Sequence, residues 1–404
     1  MSINLRHLRA FVIVAETGSI SKAAQTLYRA ASAISRSIRE LEVALGVDLF
    51  ERKPKGMLPT IFGQALLYRA RRAAQEFSQA RDELAARIRK AGGFLGAPVF
   101  DMAFNKDRLL IFVALGDTHH MPTVANQLGL TQPAVSAAIT ELEASIGIPL
   151  FNRSAKGMLL NEAGEILVLR TKLALAELRH VEGDIAALHG KTEGLVTVGA
   201  HPLSRTVILP TAITRVLQQH PGVRIATAEG RTEDLAAGLR SGDLDLVLCT
   251  LRPGYATPGM VDTPLMTDRM AVFVRAGHPL TRLKKVTLQH LMQAEWILPA
   301  RRTPTRELFD AAFSHMSGAL PNSRIETSDL SVLRGMLLNS DLITAISPQQ
   351  LALERKLGLL QMLDFDFEKG ARVIALTQRA KGHPSPAAAV LMAEIQQVAS
   401  EMKL

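Results

Sequence analysis

The chain has 404 residues, enough for two to four domains, and its 47% hydrophobic and 21% charged residues are ordinary for a globular protein. A single cysteine, Cys249, excludes an intrachain disulfide and a multi-cysteine zinc site. No apolar run approaches the roughly 18 residues of a membrane span, and AFVIVA near the N-terminus is too short for a signal-peptide core, so a cytoplasmic location without membrane contact is expected.

The net charge of +9 is unevenly spread. Residues 1–100 hold 16 Lys+Arg against 8 Asp+Glu, residues 101–192 hold 8 against 10, and residues 193–404 hold 23 against 20. A basic leading segment on a near-neutral body fits polyanion binding, and equally a solvated basic face.

The first element, LRHLRAFVIVAETG, places Leu5, Leu8, Phe11, Val12 and Ala15 on one helical face. Gly18 stops it, and Ser19 is placed to cap a second helix, ISKAAQTL. A short break precedes a third helix, SAISRSIRELEVAL, with Ile34, Ile38, Leu41 and Leu45 as its stripe and Gly46 at its end. VDLFERKPKGMLPT has the Pro-Lys-Gly centre and alternation of a hairpin. A long helical pattern then runs to Gly92 and Gly93. Three helices, a hairpin and a trailing helix are the pattern of a winged helix-turn-helix. Its third helix enters the DNA major groove through its N-terminal end, and Arg52, Lys53 and Lys55 of the hairpin would lie against phosphates.

Residues 8–73 recur at 109–174 with a constant shift of 101, about 24 of the 66 aligned pairs being identical; KGML stands at 55–58 and again at 156–159. A repeat this long is a second domain rather than a solenoid unit. The segment 91–105 between the copies reads as a Gly/Pro-broken joint. After the second copy, EAGEILVLRTKLALAELRHVEGDIAALHG reads as one long helix with apolar surface from Leu167, Leu169, Leu173, Leu178, Val181, Ile185 and Leu188. From residue 195 short apolar strands alternate with helices, which predicts an open α/β sheet.

The string LRHLRAFVIVAETGSISKAAQTL…SRSIRELEVALGVDLFER resembles the N-terminal DNA-binding domain of LysR-type transcriptional regulators, and TVANQLGLTQPAVSAAITELEASIGIPLFNR resembles it again. The resemblance covers the whole chain. Two DNA-binding units in tandem depart from the usual single one. The implied fold is multidomain α plus α/β: winged helix-turn-helix 3–60, linker helix and joint 61–105, winged helix-turn-helix 106–161, linker and dimerisation helix 162–191, and a two-lobe, periplasmic-binding-protein-like effector domain at 193–404. Its first lobe would hold 193–266 and 371–404, its second 267–370. In the family the linker helix pairs with its twin, which implies a homodimer or homotetramer.

The copies differ where DNA would be read. The second opens its recognition helix with Thr131, Gln132 and Pro133, of which Thr131 can cap, Pro133 suits a first turn and Gln132 can bond an adenine edge. The first has Ala30, Ala31 and Ser32 there, but carries Ser35, Arg36 and Arg39; the second has Ser136 and no cation on that helix, with Arg153 in its wing. Two readings stand open. Either both units touch double-stranded DNA, or one has become an assembly element in what is mainly a small-molecule sensor.

A ligand of the two-lobe domain would sit between the lobes, where strand ends and helix N-termini converge. His201 and Ser204 follow its first strand, Thr250 follows the last strand before the crossover, Arg301 and Arg302 open the second lobe, and Thr327 and Asp329 precede a helix. Either arginine, with helix-end N–H groups, would suit a carboxylate or another anion. No GxSxG, HExxH, Walker or dinucleotide motif occurs, and the adjacent His119 and His120 lack the i,i+4 spacing of a metal pair, so neither an enzyme, a cofactor nor a metal is expected.

Overall fold

The computed structural model describes residues 3–53, 56–155, 157–251 and 258–402. They form two compact units, one reaching to Gly194 and including Ser241–Asp243, the other made of Leu195–Arg240 and the chain from Leu244.

In the first unit, α1 (Leu5–Thr17), α2 (Ile20–Thr26), α3 (Ala31–Leu45), β1 (Phe50–Lys53), β2 (Gly56–Pro59) and α4 (Ile61–Lys90) form the first head and its trailing helix. The second head repeats them as α5 (Lys106–Thr118), α6 (Met121–Leu128), α7 (Gln132–Ile146), β3 (Phe151–Ser154), β4 (Gly157–Leu160) and α8 (Glu162–Arg179), followed by α9 (Val181–Leu188). Both hairpins are antiparallel in the same register, Phe50 facing Pro59 and Phe151 facing Leu160. Leu8, Phe11, Ile38, Leu41 and Leu49 are buried, as are their counterparts Leu109, Phe112, Ile139, Leu142 and Leu150.

Two of the polar and small repeated residues have a geometric reason. The carboxylate of Glu42 accepts the backbone N–H of Leu49 at 2.9 Å, and that of Glu143 accepts Leu150 at 2.7 Å, tying each third helix to its wing. Gly63 and Gly164 let the trailing helices pass close to that wing: a Cβ there would stand 2.1 Å from the carbonyl oxygen of Leu49 and 2.2 Å from that of Leu150.

The joint is packed rather than loose. Ala97, Val99, Phe100, Met102 and Phe104 are buried in the core the two heads share, Phe94 donates its N–H to Ile146 at 2.8 Å, and Arg6 bonds the Ala103 carbonyl at 2.9 Å. The trailing helix of the second head, expected as one piece, breaks at His180, whose N–H tightens onto the Glu177 carbonyl three residues back.

The largest correction concerns how α8 is covered. It lies against α4 of the same chain. Leu66, Ala70, Ala73, Phe77, Ala80, Leu84 and Ile88 of α4 are fully buried in one core with Leu167, Ala174, Leu178, Val181 and Ile185. The helices run antiparallel: Phe62 at the start of α4 stacks on His189 at 4.8 Å between centroids, and Arg87 near its end pairs with Glu162 at the start of α8. Of the apolar side chains expected to wait for a twin, only Leu169 and Leu188 are exposed.

Among its described residues the second unit holds three sheets. The first runs β6 (Val223–Ala228), β5 (Gly194–Ala200), β7 (Leu246–Thr250), β14 (Ala371–Arg379), β8 (Met260–Arg269) in space, with β5 and β7 parallel and β14 antiparallel to both its neighbours. It packs on α10 (Ile208–Gln219) and α16 (Pro386–Glu401) through Val198, Leu246, Leu376, Val216, Leu391 and Ile395, with α11 (Thr232–Ser241) against Val247. In the second lobe β9 (Ala271–Arg275) pairs with β12 (Thr344–Ile346) and β13 (Leu360–Met362), and β10 (Trp296–Leu298) with β11 (Ser323–Glu326). Around them lie α12 (Leu288–Gln293), α13 (Pro304–Ser317), α14 (Leu330–Leu338) and α15 (Ala352–Lys356). Trp296 sits edge-on to Phe309 and Phe313 and donates its indole N–H to the Leu291 carbonyl at 2.8 Å. Strand β8 was not expected, because Pro264 interrupts its pattern. It is an edge strand with a register shift at that proline, where a missing N–H is tolerated. It carries the crossing into the second lobe to Arg269, three residues later than the sequence suggested.

Candidate functional site

Each head presents the N-terminal half of its third helix to solvent. In the first, Ser32, Arg36 and Arg39 are exposed and Ser35 is half-buried; Arg36 holds Glu40 one turn on at 2.7 Å, a surface pair that costs little to exchange for another anion. In the second, Thr131, Gln132 and Pro133 are exposed and Ser136 is half-buried. The helix starts differ as the sequence implied. Thr131 caps α7, its hydroxyl accepting the N–H of Ala134 at 3.4 Å, while Ala30 stands at the cap of α3 with no side chain to offer and Ser32 lies inside the first turn. In the wings, Lys53 and Arg153 are exposed and Lys53 pairs with Glu51. Lys55 and the side chain of Arg52 lie outside the described residues.

Behind these surfaces the α4–α8 contact holds a buried ion cluster. Arg69, fully buried, donates Nε and Nη2 to the two oxygens of Asp184 at 2.6 and 3.2 Å and Nη1 to Glu177 at 2.8 Å, while Arg72 takes the other Glu177 oxygen at 2.7 Å. Burial alone would push the Glu177 carboxyl up; hydrogen bonds and charge from Arg72 and Arg69 outweigh it and hold it below the usual carboxylate range. On the other side Arg170 bonds Glu76 at 2.8 Å, Gln79 and Glu83.

In the effector unit a cavity of 820 Å³ lies between the two lobes. His201, Arg301, Arg302 and Thr327 line it. Three expected residues do not. Ser204 is fully buried, Thr250 lines an adjoining 280 Å³ cavity beside Cys249 that shares His201, Thr232 and Glu233 with the first, and Asp329 is spent on capping α14, accepting from Ser331 and Val332. Arg205, Arg231, Thr232, Thr303, Thr305 and Gln350 line the cavity without having been foreseen. They sit in loops and helix starts, where no periodicity marks a side chain as facing inward.

The cations are not equivalent. Arg231 is held by Asp234 and Arg301 by Glu326, both at 3.2 Å, whereas Arg302 makes no ion pair among the described residues. Arg302 also has φ +65°, a left-handed conformation that costs an L-residue on the order of 1 kcal/mol and is found disproportionately at ligand sites. Next to it Thr303 caps α13, whose N-terminus opens onto the same cavity. Arg372 of β14 donates to Asp268 of β8 at 3.0 Å and to Thr305 of the second lobe at 3.0 Å, and Ser347 donates to Asp268 at 2.5 Å, so one buried cluster joins the two lobes and reaches the cavity lining at Thr305.

Among the described residues no helix is long and apolar enough to cross a membrane, and no group of three or more His, Cys, Asp or Glu could hold a metal ion. The model of the bacterial regulatory helix-turn-helix proteins of the lysR family matches residues 5–64 and again 107–165, and the LysR substrate-binding domain model matches residues 189–400. The chain is 43% identical over 398 residues to the HTH-type transcriptional regulator GalR of Pseudomonas putida, covering 98% of each chain. It is 29% identical to PcaQ of Agrobacterium fabrum over 73% of this chain and 94% of that one. Two solved structures share the fold: a full-length OxyR variant from Pseudomonas aeruginosa, at TM-score 0.54 and 20% identity over 72% of this chain and 93% of that one, and CbnR, a LysR family regulator, at TM-score 0.52 and 16% identity over 73% and 99%. With both heads and the effector unit matched, the chain belongs to the LysR family, as a DNA-binding transcriptional regulator that carries a substrate-binding effector domain.

Proposed function

We propose that both heads bind double-stranded DNA and that a small anionic effector, held between the lobes, sets how they do so. The observation that carries the effector reading is Arg302, held in a left-handed conformation at the mouth of the cavity beside the N-terminus of α13. A guanidinium and the free N–H groups of a helix start are complementary to a carboxylate. Ligand that bridges the lobes favours one degree of closure, and it regulates only through that preference. The effector unit resembles the periplasmic-binding-protein-like domains in this respect, and further copies of the chain would assemble into a homodimer or homotetramer in the cytoplasm.

Phosphate neutralisation by the basic first head supplies most of the affinity, and Gln132 with the second head contributes base readout. Two titrations test the reading. Calorimetry of the full chain against a panel of small carboxylates should find a binder whose affinity falls roughly ten- to a hundred-fold in Arg302→Gln, the loss of one charged hydrogen bond. Gel shifts at several salt concentrations should show weaker binding in Arg36→Ala and Gln132→Ala; unchanged binding in both overturns the contacts assigned to the heads.

A further inference from the structure

In a two-fold DNA-binding dimer the linker-helix contact joins two chains. Here the contact is filled within one. Helix α4, antiparallel to α8, buries its apolar stripe in the core it shares with α8 and α9, and the ion pairs across that contact are duplicated in a pseudo-two-fold manner. Arg69 meets Glu177 and Asp184, and Arg170, 101 positions later, meets Glu76 and Glu83, which stand 101 positions before those two acids. An equivalent pair also recurs inside each head: His7 with Glu40, and Arg108 with Glu141. The joint, buried between the heads, completes the connection.

Pairing of the heads is therefore symmetric in backbone, while the surfaces they offer to DNA are not. The α3 head exposes Arg36 and Arg39; the α7 head exposes Gln132 and carries no cation on that helix. An arginine fork matches the O6 and N7 of guanine, and a Gln amide matches the N6 and N7 of adenine. We propose that a single polypeptide is a complete two-headed DNA reader, and that its operator consists of two unlike half-sites, a guanine-bearing box for the α3 head and an adenine-bearing box for the α7 head. The proposal rests on both heads binding DNA.

Selection of duplexes from a random library with the full-length protein tests it. The expected product is a two-box motif whose boxes are not inverted copies. Arg36→Ala with Arg39→Ala should flatten the preference in one box and Gln132→Ala that in the other, each lowering discrimination at its base by roughly five- to a hundred-fold. A palindromic motif, or both variants acting on the same box, overturns the proposal; failure to enrich any sequence overturns the DNA reading beneath it. An equimolar mixture of the two variants, assayed on the selected duplex, separates pairing within a chain from pairing between chains. Heads paired in one chain leave no reader with both intact surfaces, so the mixture stays as weak as its components; recovery of parental affinity overturns the single-chain reader. All three substituted side chains are exposed, and unchanged thermal unfolding of each variant confirms that the fold is intact.

Discussion

Arg69 and Arg170 occupy equivalent turns of α4 and α8 and reach across the contact between them: the first holds Glu177 of α8 and Asp184 of α9, the second Glu76 and Glu83 of α4. The two clusters differ in depth. Arg69 is fully buried, whereas Arg170 keeps about a fifth of its side chain exposed and spends one hydrogen bond on neutral Gln79.

That difference sets an order of stability losses. Arg69→Ala takes from Asp184 the guanidinium that holds it and leaves Glu177 with Arg72 alone, and should cost about 3 kcal/mol. Arg170→Ala should cost distinctly less, because water reaches its partners. Thermal unfolding of the two variants, read against the parent, checks the ranking; equal losses would mean that depth does not govern this contact.

Acid should loosen the same contact. Glu177 is held below its ordinary value by Arg72 and Arg69 against the opposing effect of burial. A carboxyl depressed in the folded state contributes stability that is fully present above its unfolded pKa of about 4.3, and that is lost as pH falls through the lower folded value. Urea unfolding between pH 6 and pH 3 should show stability declining below about pH 4. In Glu177→Gln part of that slope should be gone and stability at neutral pH lower.

Gly63 and Gly164 should resist even a methyl group. The added Cβ meets backbone carbonyl oxygens, at 2.1 and 2.2 Å, which no rotamer change can clear. Gly63→Ala and Gly164→Ala should each cost about 1–3 kcal/mol through displacement of the wing from the trailing helix. Gly164→Ala should be the worse of the two, since a Leu160 methyl stands 2.8 Å away as well. Thermal melts would decide this, and a neutral Gly63→Ala would refute the close approach.

The helix starts predict opposite signs for two substitutions. Ala30 already has the extended backbone of a cap, φ −66° and ψ 141°, so Ala30→Asp should stabilise α3 by about 1 kcal/mol. Thr131→Ala should destabilise α7 by a similar amount. Asp329→Ala likewise should lower stability by about 1 kcal/mol yet leave effector affinity unchanged, since that carboxylate caps α14. Loss of ligand binding in Asp329→Ala would place it in the cavity after all.

Much of the architecture was legible because it is local. Gly18, Ser19, Gly46 and the 3–4 spacing of Leu8, Phe11, Ile34 and Ile38 delimit the helices of a head, and the 101-residue shift shows there are two. The mutual pairing of the heads was not read, because Arg69 lies 108 and 115 residues from its partners. The signal was present nonetheless. The repeat continues past residue 73 in Glu76 and Glu177, Glu83 and Asp184, at the positions that close the contact. The cavity was half legible. Arg301, Arg302 and Thr327 stand after strands of recognisable pattern, whereas Arg231 and Thr303 are placed by loops, and Asp329, equally polar in the sequence, satisfies backbone N–H groups instead.

The cis contact between α4 and α8 also changes what a mutation can do. In a symmetric dimer one codon change alters both reading heads, so a shift in preference at one box is forced on the other. Here each head has its own codons, and the exposed surface of either can drift without changing the other. Since the two are tethered, their ratio is fixed at one to one by translation, and dilution to a few copies per cell does not part them.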